Sequence, residues 1–301
     1  MNQPDDGFDN LDAGGRLAAG LTRRPALLVQ LSLGSALVLS WLMLATMARR
    51  TAEVGAGGLA GPGAELVKLL PEMALPTFIE RFLALCLSPV PASGFAAGEF
   101  AALAAMWFLM SLAMMLPAAA PMVRTYCEIA ETAARKGERV AHPLMLVAGY
   151  LSVWLLASMG FAALAAGLRF ATAGDVAVAP LTGIAASVAL GLAGLYQFSA
   201  LKHACLKKCR RPFSILFSRW SPRGSAIFRL GAEQGVWCLG CCWALMLVML
   251  AVGLMNLFWM ALIGLFVLVE KQGSGRLSTV VAGWILLVWA ALLLVVSISG
   301  S

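Results

Sequence analysis

Trp237-Cys238-Leu239-Gly240-Cys241-Cys242-Trp243 lies near the front of an apolar run that extends from Gly231 to Val269. At about 39 residues the run is too long for one crossing of roughly 30 Å of hydrocarbon and right for two. Gly253 to Asn256 is the natural turn between them. On a helix, Cys238, Cys241 and Cys242 stand at i, i+3 and i+4 and share one face. The stretch therefore reads as a membrane helix with three thiols on one side, and the rest of the chain as its scaffold.

Composition agrees. The 301 residues are 61% hydrophobic and 12% charged, with a mean hydropathy of +0.86. A soluble globular chain is nearer about 45–50% apolar and 25% charged. The fold class is all-α, a polytopic helical membrane protein. The net charge of +7 sits mainly in loops, where lysine and arginine set orientation, so it is no nucleic-acid footprint. Seven cysteines, an odd number, exclude a fully paired disulfide framework.

Upstream, residues 1–24 are polar and carry Asp5, Asp6, Asp9 and Asp12, which predicts a disordered tail. The first transmembrane helix is expected from about Leu27 to Met47, since an acidic leader and long apolar core suit a secretory signal less well; a cleaved signal is the alternative. Residues 48–95 form a long loop, with an amphipathic surface segment between Glu65 and Leu87. Residues 25–95 are thus a first helix and its loop, and residues 96–301 the main membrane domain. There a second helix is expected from about Ala96 to Ala120, followed by a polar stretch ending at His142-Pro143. A third runs from about Leu144 to Leu168, and a fourth from about Val176 to Leu201. Two more fill Gly231–Val269, and a last one runs from Thr279 to Ile298. That makes seven.

Basic residues decide the orientation. With the amino terminus in the cytoplasm, most of the 22 lysines and arginines fall on the cytoplasmic side, above all in segment 202–230. Arg49 and Arg50 run against this. The topology places His203, Cys205, Cys209, Cys238, Cys241, Cys242, Met114 and Met115 near the cytoplasmic end of their helices. Met106, Met110 and Met114, at i, i+4 and i+8, make a sulfur stripe on the second helix, and Met246 and Met249 continue the thiol face outward. The cytoplasm is reducing, so the thiols should be free.

Thiolate and thioether are soft ligands that suit copper(I), while thiolate with imidazole suits zinc. A single cysteine in a membrane helix is usually a small packing residue. A Cys-x-x-Cys-Cys cluster with two further thiols at its depth argues for more than packing. The ligand set expected from these residues is Cys238, Cys241, Cys242, Cys205 and Cys209, completed by His203, Met110 and Met114. Glu270 closes an apolar run, and Lys271 would neutralise it.

Several motifs together carry a resemblance. They are Met106-Trp107 with Met110, Ala113-Met114-Met115 and Pro117; Cys205-x-x-x-Cys209-Arg210-x-Pro212; Gly235-x-x-Cys238-Leu239-Gly240-Cys241-Cys242-Trp243-Ala244-Leu245-Met246; Gly253-x-Met255-Asn256; and Glu270-Lys271. Over roughly residues 96–295 the chain resembles a bacterial family of integral membrane proteins labelled predicted metal-binding, a domain of unknown function. The resemblance implies metal binding in a bacterial inner membrane. It specifies neither substrate nor direction of transport.

The expected function is metal handling, with copper(I) as ligand and zinc as the alternative. The partners are the lipid bilayer, the ion and a protein that delivers or accepts it. A second reading is a membrane thiol–disulfide oxidoreductase using Cys238, Cys241 and Cys242. A third is an assembly subunit without chemistry of its own. No phosphate loop, Gly-x-Ser-x-Gly elbow, His-Glu-x-x-His pair or dinucleotide fingerprint occurs in the sequence.

Overall fold

In the computed structural model, residues 25–53, 97–171, 183–253, 256–273 and 275–299 are described, with Thr77, Glu80 and Arg81. The tail 1–24 lies outside them, as does the amphipathic segment expected between Glu65 and Leu87 apart from those three residues.

The described residues are helical, without strands: α1 (Pro25–Glu53), α2 (Ala97–Arg135), α3 (Pro143–Ala171), α4 (Gly183–Gln197), α5 (Ala200–Cys209), α6 (Pro212–Ser218), α7 (Gly224–Val252), α8 (Leu257–Gln272) and α9 (Leu277–Ser299). Among them α1, α2, α3, α7 and α9 are long and apolar enough to cross a membrane. The bent pair α4–α5 would make a sixth. The expected sixth helix corresponds to α8, whose 16 residues rise only about 24 Å, short of the bilayer core of about 30 Å.

Helices α2 and α7 form the centre. In their most apolar stretches 61% of the residues are buried, against 17% in α1 and α9, whose apolar side chains face outward as lipid-facing helices do. Around this centre α3 packs on both α7 and α2, α1 on α2, α9 on α4, and α4 and α5 on α7.

The α3–α7 contact sets the frame of the site. A Cβ on Gly231 would collide with the backbone carbonyl of Leu146, and one on Gly149 with that of Phe228. The two backbones touch because these residues lack a side chain, the small-residue packing typical of helices in lipid.

Besides the start of α7, at Gly224 and not Gly231, two boundaries differ from the sequence reading. Helix α2 does not stop near Ala120; it continues through Pro117 and Pro121 to Arg135. Beyond the prolines, Met122, Val123, Tyr126, Cys127, Ala130 and Ala133 are buried at helical spacing, while Arg124, Glu128 and Arg135 are exposed. This amphipathic extension is covered by α6, with the Tyr126 and Trp220 rings 5.6 Å apart, so tertiary packing sustains the helix. The second difference is the expected fourth helix, which breaks at Phe198–Ser199 and turns by 65° into α5. Ser199 is the cap: its side chain accepts a hydrogen bond from the Lys202 amide at 3.1 Å.

Candidate metal centre

Helix α7 starts at Gly224, so Cys238 lies about four turns in, deeper than a helix starting at Gly231 would place it. All three α7 thiols are buried. The Cys241 and Cys242 thiols both donate to the Cys238 carbonyl, at 3.1 and 2.8 Å. The Cys238 carbonyl lies within a turn of both, so its own helix holds the two thiols in a defined direction.

Four other elements bring groups to this face. From α2, the Met115 thioether accepts the Cys242 thiol at 3.6 Å. From α3, the Tyr150 hydroxyl lies 3.0 Å from the Cys238 sulfur and also donates to the Met115 carbonyl at 3.3 Å. From α8, the Lys271 ammonium donates to the Cys238 sulfur at 2.8 Å. From α5, the Cys209 thiol lies beside Cys241. Cys205, also on α5, packs on the middle of the motif, where a Cβ on Gly240 would lie only 2.6 Å from its sulfur. The Tyr196 hydroxyl holds the Gly240 carbonyl from α4.

The expected ligands therefore separate into groups. Cys238, Cys241, Cys242 and Cys209 share one cluster, with Cys205 at its edge. His203 lines a basic cavity instead. Met110 and Met114 are buried in the bundle, and Met114 sits 3.6 Å from the position a Cβ on Gly264 of α8 would take. The methionine that reaches the thiols is Met115. The Ala113-Met114-Met115 motif contained it, but the i, i+4, i+8 stripe drew attention to the neighbouring face.

The expected neutralisation of Glu270 by Lys271 is not what forms. Glu270 is fully buried and paired with Lys202 at 3.0 Å, and it accepts a hydrogen bond from the Thr279 hydroxyl at 2.9 Å. Lys271 turns the other way, to sulfur. Adjacent helix residues point about 100° apart, so they serve different neighbours. Asn256 caps the start of α8 by accepting from the Trp259 amide at 3.3 Å, and Gly253, at φ 95°, ends α7 in a conformation that suits glycine. Counting back from this turn, Cys238 is 14 residues before Val252 and Lys271 is 14 after Leu257. Helices running in opposite directions thereby bring the two side chains level.

Among the described residues, no three His, Cys, Asp or Glu side chains stand ready as a closed cation site. The donors that do meet are thiols and one thioether, and a thioether beside thiolate is a soft set that suits copper(I).

A family model described as PpoB2, a copper chaperone, matches residues 104–293, more than half of the chain and all of the thiol motifs. It bears out the metal-related family expected from the sequence, under a different name. No curated protein and no solved structure matches the chain.

Proposed function

We propose, from the premise that the chain belongs to the PpoB2 copper chaperone family, that it is a membrane-embedded copper(I) carrier. Its cargo is held by Cys238, Cys242 and Met115, with Cys241 and Cys209 as adjoining thiols. The observation that carries the reading is the meeting of the Cys242 thiol and the Met115 thioether across α7 and α2, at 3.6 Å. Thiolate and thioether together select copper(I) over harder divalent ions. Lys271 would supply positive charge to a Cys238 thiolate while no metal is bound, and Tyr150 a hydrogen bond. The basic residues favour a cytoplasmic amino terminus in a plasma membrane, with the thiols nearer the reducing side.

The test is elemental analysis of protein purified in detergent under anaerobic conditions. The parent should carry about one copper per chain, and Cys238→Ser/Cys242→Ser should carry almost none while remaining monodisperse. Equal copper in parent and variant would overturn the assignment. The placing of the Cys209 thiol beside Cys241 favours a second reading, thiol–disulfide exchange. That reading requires a disulfide between these two residues in protein isolated with its thiols trapped, and no copper.

A further inference from the structure

Beside the thiols lies a cavity of about 400 Å³, within the size range of small-molecule sites. Its charged lining is entirely cationic or imidazole: His203, Lys207, Arg210, Arg211, Lys271 and Arg276. No carboxylate is among its described lining residues. The Glu270 carboxylate, next in sequence to Lys271, is fully buried and engaged by Lys202 and Thr279.

This is more than a scatter of loop charges. The Arg210 guanidinium donates to the Glu270 carbonyl at 2.8 and 3.1 Å and to the Gly275 carbonyl at 3.0 Å. It thereby fastens the α8–α9 turn over α5 and gives the cavity fixed walls. Lys271 forms part of the wall, and its ammonium touches the Cys238 sulfur at 2.8 Å. The space is thus separated from the candidate metal centre by one side chain.

We infer that this cavity is the docking site for a small anionic thiol that presents copper(I) to Cys238. The inference rests on the copper reading above and adds the chemical class of the donor. A carboxylate-bearing thiol complex of copper(I) matches both features: its carboxylates meet the cationic rim, and its metal points toward the wall formed by Lys271. Transfer is a ligand exchange without oxidation. Each copper–sulfur bond to the carrier breaks as one to a protein sulfur forms. Copper stays monovalent; the Cys238 thiolate displaces one donor thiolate outright, and the Cys242 thiol passes its proton to the other as it leaves.

The experiment follows anaerobic loading of the full chain in neutral detergent by ultraviolet copper–thiolate absorption. The donors are the copper(I) complexes of mercaptosuccinate, which is anionic, and 2-mercaptoethanol, which is neutral. The parent should load from mercaptosuccinate about tenfold faster at low salt, and the advantage should fade at high salt, as steered encounters do. Lys207→Gln/Arg276→Gln changes two exposed residues of the lining. It should remove the advantage while leaving loading from 2-mercaptoethanol unchanged. Parental rates with both donors, or equal slowing with both, would overturn the inference. So would phosphatidylglycerol that co-purifies with the parent and is lost from the variant, which would make the cavity a lipid headgroup seat. If the parent loads from neither donor, the copper reading falls, and this one with it.

Discussion

Gly240 stands at the centre of the cysteine motif because α5 presses on it. A Cβ there would meet the Cys205 sulfur at 2.6 Å, and Cys205 is itself buried, with one rotatable bond to move about. Gly240→Ala should therefore destabilise by about 1–3 kcal/mol through overpacking. Cys205→Ala in the same chain should recover most of that loss, since it removes the colliding atom. Apparent Tm values in detergent for the four chains close the cycle. If the double variant is no more stable than Gly240→Ala alone, the contact is not what requires glycine. The cysteine spacing was legible as a shared helix face, but the role of Gly240 was not, because its partner lies 35 residues upstream. The division between Glu270 and Lys271 was partly legible: neighbours on a helix do not face one another. The same rule separates Met114 from Met115, and only the packing of α2 against α7 and α8 decides which of them meets sulfur.

Between elements, α3 and α7 fix the depth and rotation of the thiols. Gly231 and Gly149 meet backbone carbonyls, which yield far less than side chains do. Gly231→Ala must force the helices apart, and it should remove Tyr150 from Cys238. The expected result is a lower apparent Tm and severalfold faster alkylation of Cys238 by N-ethylmaleimide, read peptide by peptide by mass spectrometry. Unchanged protection of Cys238 would show that the crossing does not shield it. The long apolar runs made the helices readable, because hydropathy averages over many residues. The breaks were less so. Tyr196-Gln197-Phe198-Ser199 contains neither glycine nor proline, and its turn comes from one hydroxyl capping one amide. The prolines of α2 look like a terminus, yet the buried spacing from Met122 to Ala133 continues beyond them and was available in the sequence.

Across the whole molecule, sulfur atoms far apart in sequence, from α2, α5 and α7, meet in one buried cluster. On the proposed function, a copper ion there ties α2 to α7 and binds the folded chain much better than the unfolded one. At a hundred times its Kd, such a ligand stabilises by about 2.7 kcal/mol, so anaerobic copper(I) should raise the apparent Tm of the parent. The two neighbouring methionines then separate ligation from packing. Both are buried, and exchange for leucine nearly conserves volume, costing below about 1.5 kcal/mol without metal. Met115→Leu should keep the metal-free Tm close to the parent and lose most of the copper-induced rise, because the thioether facing Cys242 is gone. Met114→Leu should keep both, since Met114 faces Gly264 and not the thiols. The reverse pattern would move the site one residue along α2, onto the stripe that Met106, Met110 and Met114 form. Loss of the rise in neither variant would confine copper to the cysteines and leave the two helices joined by packing alone.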